Sequence, residues 1–263
     1  MLLFSTESLR SLSQMLRRFL QLSLLVSTFA LTGCSLLPEQ IDMTKDWSAQ
    51  RFYSEARAAM MDGDYEKSID YYEKLQARFP YGVQAQQAQV DIIYAYYKYN
   101  EEESAIAAAD RFIKLHPRHP NVDYVYYMRG LVRYNQGQDL LSKIIPQEPS
   151  ERDPKSMREA FQYFSELVEK FPESKYSEDA RQRLVFTRNA LAMHEVHVAR
   201  FYMSREAWVA AASRANTVVE NYQRTKAVKE ALQILADAYN KMGMPELAAD
   251  ARRVYQLNYG NEN

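Results

Sequence analysis

The apolar positions of this chain recur in blocks, and three of the blocks end alike. RFPYG (residues 78–82), LHPRHP (115–120) and KFPES (170–174) each close a helix-forming stretch with proline, which cannot continue a helix. Placing Pro80, Pro117 and Pro172 in register predicts two more block ends, at Gln223 and Gly260. Fifteen residues before the five ends stand Tyr65, Glu102, Met157, Trp208 and Pro245, and eleven before stand Ile69, Ile106, Phe161, Ala212 and Ala249. Eight before are Tyr72, Ala109, Phe164, Ala215 and Arg252; five before are Leu75, Phe112, Leu167, Val218 and Tyr255. One before are Phe79, His116, Phe171, Tyr222 and Tyr259. The steps of 4, 3, 3 and 4 trace one face of an α-helix. Glu102, His116 and Arg252 depart from the apolar column, while Pro245 suits a helix start.

A second helix precedes each of these, over 47–62 and 84–99 in the first two blocks. Gly63 and Gly243 stand where the leading helix should stop, and Asp64 is placed to cap the next one. Asp153-Pro154 reads as an N-cap followed by proline at the first helical position. Helix-turn-helix units near 34 residues, with a small residue inside the second helix and a terminal proline, resemble tetratricopeptide repeats. The small residues are Ser68, Ala105, Ala160, Ala211 and Ala248. Block spacings of 37, 55, 51 and 37 show that the middle units are enlarged. The third carries an insertion over 140–155 (LLSKIIPQEPSERDPK), and the fourth has a long first helix from 177 to about 202. No strand-like alternation competes. The expected fold is all-α: a tetratricopeptide-like α-solenoid of five helix-turn-helix repeats over 47–263. In such solenoids the first helices usually form a surface for peptide or protein.

The N-terminus follows a different logic. Arg17-Arg18 is a basic stretch, and FLQLSLLVSTFA (19–30) is an apolar run of signal-peptide length, too short to span a bilayer. LTGC (31–34) then sets small residues before Cys34, the single cysteine of the chain, and resembles the bacterial lipoprotein box. The resemblance implies that 1–33 is a removed signal peptide, with Met1 and Met15 both candidate starts. Cys34 would be lipidated, and 34–46 would form a tether. A buried structural cysteine is the alternative. More than one acyl chain is needed for stable anchoring, which lipoprotein maturation supplies. Loss of Arg10, Arg17, Arg18 and Glu7 would take the net charge from −1 to −3. Ser35 after the cysteine resembles an outer-membrane sorting signal, so the expected location is the periplasmic face of the outer membrane.

Composition narrows the chemistry. Only 7 glycines occur, the closest pair being Gly130 and Gly137, which leaves no clustered-glycine phosphate cradle. A net charge of −1 with interspersed signs provides no basic field for nucleic acid. His194 and His197 are three apart rather than the four of a helical zinc motif, and no further ligand is evident, so packing is the better reading. His116 and His119 flank Pro117 in a turn and suit capping. Neither a cofactor nor an enzyme is expected. The 20 tyrosines are the unusual feature. Adjacent pairs such as Tyr96-Tyr97 and Tyr126-Tyr127 lie about 100° apart on a helix, so some rings must reach the surface.

Six strings in order carry a closer resemblance: QVDIIYAYYKYN (89–100), DRFIKLHPRHPNVDYVYYMRGL (110–131), ERDP (151–154), RLVF (183–186), REAWVAAASR (205–214) and AYNKMGM (238–244). Together with the lipoprotein box they resemble the BamD (ComL) family of outer-membrane assembly lipoproteins, to about Tyr259. The resemblance implies five repeats and a non-enzymatic role in the β-barrel assembly (Bam) complex. It implies binding of the periplasmic POTRA region of BamA through the C-terminal half, contact with accessory lipoproteins, and reception of C-terminal signals of unfolded outer-membrane proteins by the N-terminal repeats. The insertion departs from the family pattern, which leaves accessory contacts there open. Candidate client contacts are Tyr65, Tyr81, Tyr94, Tyr97 and Tyr124, with Arg51 or Arg78 available for a carboxylate. Arg205 and Trp208 are the candidate BamA contacts. Arg205 is expected at the start of a helix, where a cation opposes the dipole. It could pair with Glu195 or Glu206, or project to a carboxylate on BamA with a bidentate geometry. The competing function is a periplasmic repeat lipoprotein tied to peptidoglycan or cell division.

Overall fold

The computed structural model describes residues 42–136, 150 and 154–260. The expected signal peptide, Cys34 and most of the 140–155 insertion lie outside the described residues. The chain divides into two units, Met1–Trp47 and Ser48–Asn263. In the first, residues 43–46 form a turn that Asp42 organises, its carboxylate accepting from the Thr44 backbone N–H at 2.9 Å.

The second unit is helical throughout its described residues. Its helices are α1 (Ala49–Met61), α2 (Tyr65–Arg78), α3 (Val83–Lys98), α4 (Glu102–Leu115) and α5 (Val122–Asn135). They continue as α6 (Pro154–Lys170), α7 (Ser177–Ser204), α8 (Trp208–Asn221), α9 (Ala227–Lys241) and α10 (Pro245–Tyr259). Paired in order, they make the five expected repeats. Four of the five residues placed fifteen before a block end are the first residue of a second helix: Tyr65, Glu102, Trp208 and Pro245.

Local chemistry sets the boundaries. Ser48 accepts from the Arg51 N–H and starts α1; Asp64 accepts from the Lys67 N–H at 3.2 Å and starts α2. Gly63 and Gly243 take φ of 80° and 74°, the left-handed turn that ends α1 and α9. The block ends share one hydrogen bond. The N–H groups of Phe79, His116, Phe171 and Tyr222 donate to the carbonyls of Leu75, Phe112, Leu167 and Val218, at 2.8–3.0 Å. The residue one before each end therefore closes the final turn over the residue five before it.

Packing follows the same columns. Ser68, Ala105, Ala160, Ala211 and Ala248 are all fully buried, because a larger side chain there would push the two helices of a repeat apart. Tyr72, Ala109, Phe164 and Ala215 are equally buried, as are Leu75, Phe112, Leu167 and Val218 to within 1%. The last repeat breaks the pattern: Ala249 and Arg252 are exposed, since among the described residues no helix packs over that side of α10. Between α5 and α6 the approach is close. A Cβ on Gly130 would stand 2.5 Å from two ring atoms of the fully buried Phe164.

Candidate binding surfaces

The first helices place a row of tyrosines side by side. On α3, the rings of Tyr94 and Tyr97 lie 6.3 Å apart, and the Tyr97 hydroxyl accepts from Asn135 Nδ2 on α5 at 2.6 Å. On α5, Tyr124 packs 5.5 Å from Tyr176, and Tyr127 stacks on the same ring at 5.0 Å. Tyr94 and Tyr97, like Tyr124 and Tyr127, are three apart and so share a helical face. Tyr53 on α1 extends the row through Asp91. The Asp91 carboxylate accepts from Tyr53 Oη at 2.9 Å, Gln87 Nε2 at 2.8 Å and Tyr72 Oη at 3.5 Å. Asp179 plays the matching part at the start of α7, accepting from Tyr127 Oη at 2.8 Å and Arg183 Nε at 2.5 Å.

The electrostatics keep three of these phenols, Tyr53, Tyr124 and Tyr127, neutral. Burial, then the Asp91 charge, pushes Tyr53 up to about 12; burial and the hydrogen bond to Asp179 do the same for Tyr127. Tyr124 is raised by burial and by the neighbouring Tyr176, Asp91 and Tyr94. Burial also works against ionised Asp179, but the hydrogen bonds from Arg183 and Tyr127 outweigh it and hold the carboxyl below its usual range. Tyr53, Tyr124 and Tyr127 therefore present ring faces and hydroxyls as neutral donors and acceptors at any physiological pH. That chemistry suits peptide contact.

Of the five client tyrosines read from the sequence, three come together: Tyr94, Tyr97 and Tyr124. Tyr65 opens α2, with Lys98 Nζ 5.9 Å from its ring, and Tyr81 lies 90% exposed in the turn between α2 and α3. Arg51 is exposed in the first turn of α1, and the Arg78 guanidinium sits 5.1 Å over the Phe52 ring. Sequence reasoning missed Tyr53, Asp91, Tyr127 and Tyr176. The three-residue spacing common to α3 and α5 was the available signal for Tyr127; the others depend on how the repeats stack.

At the far end the expectation for Arg205 needs correction. It does not start α8; it caps α7, its N–H donating to Tyr202 and Met203 carbonyls. A cation there complements the helix dipole. Neither expected ion pair forms among the described residues: Glu195 pairs with Arg214 at 3.0 Å, and Glu206 takes φ 59° in the turn. Arg205 is exposed and lies 5.4 Å over the ring of Phe201, itself 55% exposed. Trp208 opens α8, half-buried, with Lys241 Nζ 5.7 Å from its ring.

Two of the candidate histidines make contacts with the backbone. His194 Nδ1 lies 2.9 Å from the Ser150 carbonyl, and His119 Nδ1 accepts from the Asn121 N–H at 3.1 Å, a cap at the start of α5. Between the second and third repeats, two buried arginines clamp α5 to its neighbours. Arg129 pairs with Asp110 on α4 and Glu166 on α6, at 2.8 and 2.9 Å. Arg133 pairs with Glu103 and Glu159 in the same arrangement, at 2.6 and 2.7 Å. The Arg129 guanidinium also stacks 4.1 Å over Tyr163.

Comparison with known proteins adds the family. Residues 45–255 match the YfiO family, described as outer membrane lipoprotein. Three curated relatives bear the name outer membrane protein assembly factor BamD. The one from Neisseria meningitidis serogroup A is 46% identical over 233 residues, 88% of this chain and 87% of the relative. That from Neisseria gonorrhoeae is 47% identical over 238 residues, covering 90% and 88%. That from Vibrio cholerae is 34% identical over 241 residues, covering 92% and 99%. Among the described residues no helix is long and apolar enough to cross a membrane.

Proposed function

The chain belongs to the BamD family of outer membrane lipoproteins, and from that membership we propose that it is a non-enzymatic scaffold and client receptor of the β-barrel assembly complex. The observation that carries this is identity of 46–47% with assembly factors along nearly nine-tenths of both chains. The same extent of likeness does not favour the peptidoglycan or cell-division reading. Lipidation of Cys34 would hold the protein on the periplasmic face of the outer membrane, with the residues before Trp47 as tether.

The first three repeats receive an extended C-terminal segment of an unfolded outer-membrane protein, with Tyr94, Tyr97 and Tyr124 as the central contacts. Tyr65 and Tyr81 lie to the side of that row, and Arg51 or Arg78 meets the terminal carboxylate. Rigid rings with hydroxyl tips fit this role, because they bury apolar area at low entropic cost and still satisfy peptide groups. Arg205 and Trp208, with exposed Phe201, face the POTRA region of BamA. Accessory lipoproteins of the complex are further partners. The test is photo-crosslinking in cells. A crosslinker at Tyr97 or Tyr81 captures outer-membrane precursors, and one at exposed Leu257 in the last repeat does not. The reverse pattern would move the client site to the other end of the chain.

A further inference from the structure

The groove between α2 and α4 is built on the same plan as the clamped groove between α4 and α6, but it is empty where the second is filled. The repeat register of 37 and 55 residues makes the correspondence explicit. Ile92 stands where Arg129 does, and Tyr96 where Arg133 does. Glu73 corresponds to Asp110, Ser104 to Glu159, Ala108 to Tyr163 and Arg111 to Glu166. In the second groove the chain's own guanidiniums and the Tyr163 ring occupy the space. In the first, isoleucine and alanine leave a cavity of about 310 Å³, lined by all six of the corresponding residues.

The walls of this cavity carry opposite charges. Glu73 on α2 accepts from Tyr96 Oη at 2.6 Å through one oxygen and keeps its other oxygen available. Arg111 on α4 is exposed, and among the described residues it forms no ion pair, with Glu73 or with any other acid. The floor is apolar, from nearly buried Ile92, and Ala108 keeps one side open. A carboxylate entering here meets Glu73, and an ammonium meets Arg111. A carboxamide satisfies both walls: its NH2 donates to Glu73 and its carbonyl accepts from Arg111 and Ser104.

We propose that this cavity is a docking site for an asparagine or glutamine side chain presented by an extended segment of a partner polypeptide. It lies on the Tyr96 side of α3, away from the Tyr94–Tyr97 face, so it is separate from the client row. Complementary charge on opposite walls selects the carboxamide, and the small residues Ala107 and Ala108 admit the main chain beside it.

The test uses the mature lipoprotein in detergent micelles with its isoleucine and alanine methyl groups labelled. Three ten-residue Gly/Ser/Ala peptides are titrated, carrying two Gln, two Glu or two Lys. The Gln peptide shifts the Ile92 and Ala108 methyls saturably and binds at least about fivefold more tightly than the others. A variant that rebuilds the neighbouring clamp (I92R, S104E, A108Y, R111E) keeps its melting temperature and binds the Gln peptide at least about tenfold more weakly. If that variant does not fold, R111A alone, an exposed change, weakens binding about fivefold. Absence of saturable shifts, equal or tighter binding of the Glu or Lys peptide, or unchanged affinity in either folded variant overturns the site.

Discussion

Gly130→Ala is the sharpest test of the packing between the two helices of the third repeat. The new Cβ would stand 2.5 Å from Cδ1 and Cε1 of Phe164 and 2.9 Å from Cζ. The ring has no free direction: it is fully buried, with Tyr127 and Tyr134 each 6.1 Å away. Overpacking of this kind costs about 1–3 kcal/mol. Alanine recovers about 1 kcal/mol over glycine inside a helix, leaving a net loss of up to about 2 kcal/mol. For a unit of this size that lowers Tm by up to about 8 °C, at roughly 2–4 °C per kcal/mol. The assay is urea and thermal unfolding followed by helical circular dichroism. Phe164→Leu supplies the control, because a smaller side chain makes room for the methyl group. The double variant should be more stable than the sum of the single losses by at least about 0.5 kcal/mol. A stabilising Gly130→Ala, or strictly additive losses, would refute the close-approach argument.

Other expectations follow from the same reasoning. Cys34→Ser should release the protein from the outer-membrane fraction, measured by fractionation and mass spectrometry of the N-terminus; a lipid-modified, membrane-bound variant would remove the anchor. Arg205→Glu sets an anion at the C-terminus of α7 and costs about 0.3–1 kcal/mol, so the melt moves by a few degrees while co-purification of BamA drops. A collapsed melt would make the residue structural, and undiminished BamA binding would place the interface elsewhere. The pH dependence has a definite sign. The hydrogen bond from Arg133 lowers Glu103, and those from Arg183 and Tyr127 lower Asp179, so both carboxylates favour the folded state in their ionised form. Their contribution is complete above the ordinary values of 4.5 and 3.8 and is lost as pH falls through the lowered folded values. Asp179→Asn should therefore flatten the fall in urea midpoint between about pH 5 and pH 2, and an unchanged slope would discount that pair.

The fold was legible because helical periodicity and block ends are local signals. The column beginning with Ser68 shows this best: five small residues at one register position are five fully buried helix crossings. Boundaries were legible where a single residue decides them, as at Asp64, Gly63 and Pro154. The limits appear where chemistry depends on neighbours in space. The placement of Arg205 turned on whether α7 ended near 202 or ran on to Ser204, which propensity does not resolve. Arg129 and Arg133 look like ordinary surface arginines in sequence, since their acids are 19 to 37 residues away on two other helices. The tyrosine row was half visible, through the spacing inside α3 and α5, while Tyr176 and Asp91 join it only through stacking of repeats.

The 28 residues of α7 give it a length of about 42 Å, twice that of most other helices in the unit. Ala180 and Leu184 near its start pack with Phe164 and Leu167, whereas Ala192, Val196 and Ala199 pack with residues of α8 and α9. Between them buried Thr187 bonds back to the Arg183 carbonyl of the same helix, so no polar break separates the two stretches. One uninterrupted rod thus runs through two hydrophobic clusters. A helix melts at high cost in its middle and at low cost at its ends, so loss of one cluster leaves the other holding an intact but half-bare rod. The clusters on either side are then thermodynamically yoked. Hydrogen exchange of the amides around Thr187 should report the more stable of the two, and fraying should stop there.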